Sequence, residues 1–148
     1  MLYKNKYRIP SARMQKWDYR TPAPYYVTID VRYMKQVFGY IENSEMHLNN
    51  FGQFANDCLE NINTHTQYAL VTNHVIMPNH VHAIIELKND KRDYQCNRFG
   101  PLLKKSLSSV INHYKGRVTN YAKKNNLEFA LYLLHLNHYM YNHTIHYS

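Results

Sequence analysis

The sequence predicts an α+β domain, with helices packed on one face of an antiparallel sheet, and two patterns predict it. Short runs of β-branched and aromatic residues alternate with longer segments whose apolar side chains recur every three or four positions. Taken in order these read strand, helix, strand, strand, helix, an arrangement that covers one sheet face and leaves the other open. A chain of 148 residues is the size of one domain with a real core, not of two.

Residues 1–24 are basic and carry Pro10, Pro22 and Pro24, so they read as an arm laid over the domain. The domain itself is expected over 25–130. Its first strand is Tyr25-Tyr26-Val27-Thr28-Ile29-Asp30-Val31, short, β-branched and preceded by proline. Glu42-Asn43-Ser44-Glu45 is polar turn chemistry and places a small hairpin or loop within 32–48. With Asn49 or Asn50 as a cap, Phe51, Phe54, Ala55, Cys58, Leu59 and Ile62 form the apolar face of a first main helix. Tyr68 to Met77 and His80 to Leu87 read as adjacent antiparallel strands broken by Pro78-Asn79. Lys88 to Arg98 is a polar loop. Pro101 suits a helix start, after which Leu103, Leu107, Val110, Ile111, Tyr114, Val118 and Tyr121 keep helical spacing to about Lys124. Residues 131–148, rich in His, Tyr and Leu, form a tail of unassigned structure.

Apolar residues make up 45% and charged residues 19% of the chain, which excludes a wholly disordered protein. Eighteen Lys and Arg against ten Asp and Glu give a net charge of +8, which makes nucleic acid the first partner to consider. Lysine that serves only solubility would give the same balance. Fifteen tyrosines add stacking surfaces, and several alternate with cations, as in Lys6-Tyr7-Arg8, Lys16-Trp17 and Tyr114-Lys115. Cys58 and Cys96 are far apart and form no zinc or redox motif. The N-terminus has no apolar signal core and no window approaches a membrane-spanning length, so a cytoplasmic protein without a membrane partner is expected.

The segment Met77-Pro78-Asn79-His80-Val81-His82 concentrates the chemistry. Side chains alternate along a strand, so His80 and His82 point to one face and Val81 and Ala83 to the other. Two imidazoles converging on one spot can hold a divalent metal, with Mg or Mn needing further oxygen ligands. The same spacing also suits ordinary surface or cross-strand contacts.

The string Val75-Ile76-Met77-Pro78-Asn79-His80-Val81-His82-Ala83-Ile84-Ile85 closely resembles the signature of the HUH-type single-tyrosine transposases, in particular the branch associated with repetitive extragenic palindromes. Lys6-Tyr7-Arg8-Ile9-Pro10-Ser11-Ala12-Arg13, Trp17-Asp18-Tyr19, Tyr25-Tyr26-Val27-Thr28-Ile29 and Ser106 to Thr119 are similar to further family segments in family order. The resemblance spans residues 6–130 and implies a ferredoxin-like HUH endonuclease fold, with His80 and His82 as ligands of a catalytic Mg or Mn. It also implies a single-stranded or hairpin DNA partner and allows a homodimer. Arg8, Arg13, Lys115 and Arg117 are the residues expected to meet DNA phosphates, although a solvated helix face would carry the same cations. Asn79 is expected as a turn residue, His74 as a strand or rim residue, and Tyr114 as core, none of them a ligand or nucleophile.

In that family a tyrosine hydroxyl attacks a DNA phosphate, leaving a 5′-phosphotyrosine and a free 3′-hydroxyl. Here the pattern departs after Phe129-Ala130, where Leu131-Tyr132 stand in place of a Trp-Gln pair, and family spacing puts the nucleophile past Ser148. Tyr141 and Tyr147 are the candidate substitutes. The alternative is a catalytically inactive, truncated relative that acts only as a nucleic-acid-binding protein. A third reading, a His-metal hydrolase unrelated to transposases, lacks a string of acidic ligands.

Overall fold

The computed structural model describes residues 17–90 and 104–127, together with the backbone of a strand at 135–140. Strand β1 (Pro24–Asp30) leads through a single 3-10 turn at Arg32–Met34 to a hairpin of β2 (Gly39–Glu42) and β3 (Glu45–Leu48). Helices α1 (Asn50–Glu60) and α2 (Ile62–His65) follow, then β4 (Ala69–Ile76), β5 (His80–Leu87), α3 (Leu107–Lys124) and β6 (His135–Met140). The main sheet has the order β4-β5-β1-β6, with each adjacent pair antiparallel. The expected α+β architecture is therefore what the chain adopts.

Local chemistry explains most of the boundaries. The β2–β3 hairpin turns on Asn43 and Ser44, both in the left-handed region at φ 50° and 64°, the conformation a two-residue hairpin loop requires. Asn49 caps α1, its Oδ1 accepting from the Gly52 amide at 2.8 Å while its Nδ2 donates to the Val37 carbonyl at 2.9 Å. Ser106 caps α3 through the Ser109 amide at 3.1 Å.

The start of α3 corrects the expectation of a helix from Pro101. Pro101 and Leu103 lie outside the described residues, but Lys105 sits at φ 57°, which an α-helix cannot contain. The Leu107 amide instead donates to the Tyr19 carbonyl at 2.9 Å, so a contact with the N-terminal segment sets the helix boundary. A second difference lies in the tail, where residues 135–140 pair with β1 as a fourth strand.

Tyr25, Val27 and Ile29 of β1 and Val81, Ala83, Ile85 and Leu87 of β5 are buried with Phe51, Ala55 and Leu59 of α1 and Val110, Ile111, Tyr114 and Val118 of α3. Helices thus cover one sheet face. The intervening residues Tyr26, Thr28, His80, His82, Ile84 and Glu86 are only half-buried. Tyr114 is core, as expected, and burial raises the pKa of its phenol.

Residues 18–20 are fastened to this frame. Asp18 and Arg20 form a two-pronged ion pair, 2.9 Å from Nε and 2.7 Å from a terminal nitrogen, with the Arg20 side chain only 4% exposed. This guanidinium holds the Asp18 carboxyl below its ordinary pKa. Asn89 Nδ2 donates to the carbonyls of Arg20 and Lys105 at 2.7 and 2.6 Å, tying the segment to the approach of α3. Among the described residues no helix is long and apolar enough to cross a membrane.

Candidate metal centre on the open sheet face

β5 and β1 together build the site. His80 and His82 stand on the face away from the helices, as strand alternation requires, opposite Asp30 and Thr28 of β1 in register. Their rings lie edge to face with centroids 4.6 Å apart, close enough for one ion at roughly 2.0–2.2 Å from a nitrogen of each.

Each ring is held at Nδ1. For His80 the partner is Asn79 Oδ1 at 2.6 Å. For His82 the Tyr26 hydroxyl lies at 2.9 Å and Thr28 Oγ1 at 3.0 Å, and the Tyr26 ring stacks on the imidazole with centroids 5.4 Å apart. Contacts of this kind orient ligand histidines and leave Nε2 for the metal. Desolvation, then the neighbouring His80, lowers the pKa of His82, with Asp30 opposing. Both effects favour the neutral form of the ring, the form a metal ligand requires.

Among the described residues no cluster of three or more His, Cys, Asp and Glu side chains could hold an ion. Within the described residues the pair therefore offers two imidazole donors, and an ion held there would draw its remaining ligands from elsewhere. Beside His82 a shallow depression of about 190 Å³ is lined by Tyr26, Asn73, Val75 and Ile84. Val75, 45% exposed, reaches this face because of a bulge. The register shifts between Val71 and Asn73, so Val71 points to the core while Val75 stands across from His82.

No known family profile matches the chain. An uncharacterized protein of Haemophilus influenzae is 33% identical over 131 residues, covering 82% of this chain and 72% of its own length. The chain belongs to that protein's family.

Tyr26, Thr28 and Asn79 are the site residues that sequence reasoning missed. Asn79 does occupy the expected turn, but it also touches His80. Tyr26 and Thr28 carry a signal in hindsight, since they alternate on a strand and place two hydroxyls on one face. His74 sits on β4, its Nε2 2.9 Å from Asn56 Oδ1 of α1, and so turns toward the helices as a structural residue. Lys115 and Arg117 are half-buried on α3, in the helix layer from which the histidine pair faces away. The structure does not bring these cations to the pair. Arg117 instead lines a recess with Phe54, Asn120, Tyr121 and Lys124. Arg8, Arg13, Tyr141 and Tyr147 lie outside the described residues.

Proposed function

We propose that the chain is a DNA-processing protein of the HUH single-tyrosine transposase type, acting on single-stranded or hairpin DNA with Mg or Mn held by His80 and His82. The observation that carries this reading is two imidazoles on the sheet face that no described helix covers, each anchored at Nδ1, within a segment that resembles the family signature. The strand order β4-β5-β1-β6, with a helix between β1 and β4 and another between β5 and β6, supports the ferredoxin-like fold that the reading entails. The charge of +8 suits a polyanionic substrate.

A divalent ion bound at such a pair supplies charge neutralisation at the phosphate and at the leaving oxygen. The residues themselves bind and orient. His80 and His82 present nitrogen donors, and Tyr26 with Ile84 offers a ledge against which a base can lie beside its phosphate. The nucleophile is a tyrosine hydroxyl, with Tyr141 and Tyr147 as its candidates. Its oxygen bonds phosphorus as its proton leaves, the P–O3′ bond breaks, and O3′ takes a proton.

Incubation with hairpin-bearing single-stranded DNA and Mn or Mg should give a protein–DNA adduct that survives denaturation. His80→Ala, His82→Ala and one of Tyr141→Phe or Tyr147→Phe should abolish it. One observation favours a second reading: the ledge of Tyr26, Val75 and Ile84 can bind bases without any metal. Salt-sensitive DNA binding that is indifferent to His80→Ala and His82→Ala, with no adduct under any metal, would select that binding-only reading.

A further inference from the structure

We infer that Asn79 is a positioning residue whose side-chain amide fixes the proton of His80 on Nδ1, leaving Nε2 as the unprotonated nitrogen. Its purpose, though not its geometry, rests on the metal-site reading above.

A neutral imidazole carries one proton, and the nitrogen that holds it decides which nitrogen can bind metal. Asn79 Oδ1, 2.6 Å from Nδ1, is an acceptor only. A proton on Nε2 would set the Nδ1 lone pair against the oxygen lone pairs, whereas a proton on Nδ1 makes a short hydrogen bond. The opposite orientation of the amide would place Oδ1 toward the Met34 carbonyl, which Nδ2 now faces at 3.4 Å, and oxygen would then meet oxygen. Both ends of the amide therefore agree on one arrangement.

The backbone that carries the amide is fixed on both sides. The Asn79 carbonyl accepts from the Val31 amide at 2.9 Å, and the Pro78 carbonyl accepts from Val37 and Phe38 at 2.9 and 3.1 Å. The Met77 amide donates to the His80 carbonyl at 2.8 Å. This turn is clamped between the sheet and the approach to the hairpin, so the side chain is carried by a rigid support. His82 differs in kind. Its Nδ1 meets two hydroxyls, and each hydroxyl can donate or accept. The contacts hold the ring but do not dictate its proton, so the imposed tautomer is specific to His80.

The test is nitrogen NMR of the imidazoles in the metal-free full chain, followed across a pH series and read where the spectra show neutral rings. The wild type should show His80 protonated at Nδ1. Asn79→Ala, which keeps every backbone bond of the turn, should move the proton substantially to Nε2, while Asn79→Asp, which keeps an acceptor, should hold it on Nδ1. Backbone amide spectra report that the fold is retained. Binding of Mn alone should weaken roughly tenfold in Asn79→Ala. A wild-type His80 protonated at Nε2, or an Asn79→Ala protein that keeps the proton on Nδ1, overturns the inference. The expected tautomer shift in a protein that binds no Mn supports the proton assignment and overturns the metal reading instead.

Discussion

His82 shows how a single residue couples the site to folding. Its contacts with Tyr26 and Thr28 are worth roughly 0.5–1.5 kcal/mol each, so Tyr26→Phe should lower unfolding free energy by about that amount in urea titrations. Removing both hydroxyls with Thr28→Val as well should also weaken Mn binding. Because the folded state holds the His82 pKa below its ordinary value of 6.5, the unfolded chain takes up the proton first as pH falls. The stability from neutral His82 is therefore present above the ordinary imidazole value and lost as pH drops from there toward the lower folded one. Urea midpoints at pH 7.5 and pH 5 should show this loss, and His82→Gln should remove this residue's share of it. Asp18 works in a lower window, its contribution being lost only as pH falls below the ordinary carboxylate value of 3.8. The histidine pair was legible in the sequence because strand alternation alone puts residues 80 and 82 on one face. The orienting partners of His82 were not, because Tyr26 and Thr28 are more than fifty residues away and meet it only through the β1–β5 register.

At the scale of elements, close approach and buried charge decide what each segment tolerates. A Cβ on Gly52 would stand 2.1 Å from the Phe38 carbonyl oxygen, where α1 begins beneath the hairpin. Gly52→Ala should cost about 3 kcal/mol by displacing backbone rather than a flexible side chain, measured as a drop in Tm. Asp18→Ala removes the two-pronged carboxylate partner of the buried Arg20 guanidinium and should cost about 1.5–3 kcal/mol. Element identity was readable from periodicity for α1, β5 and most of α3. The bulge in β4 was not. Leu70, Val71, Val75 and Ile76 look like two apolar pairs, and only the pairing with β5 shows that the inward-facing set changes parity at Thr72. The beginning of α3 escaped for a similar reason, since Tyr19, remote in sequence, accepts the hydrogen bond from the Leu107 amide.

Across the whole molecule the distribution of charge matters more than its sum. If DNA lies only on the open face, Lys115→Ala and Arg117→Ala on α3 should leave the salt slope of binding unchanged. If the strand wraps the sheet edge to reach the helices, each should lower the slope by about one. Fluorescence titrations across a salt series would distinguish the two. The open face also depends on topology, because β1 lies between β5 and β6 and so carries the hydroxyls that hold His82.

By itself the sequence determined the α+β class, the order of the main elements, the basic balance and the shared face of His80 and His82, all of which follow from local periodicity and composition. Only the tertiary structure decided that Asn79 touches His80, that Tyr26 and Thr28 flank His82, and that residues 135–140 join the sheet. The last two depend on strand register and on contacts between distant segments, and the first on the side-chain conformation of one turn residue, none of which a period of two or of 3.6 residues encodes.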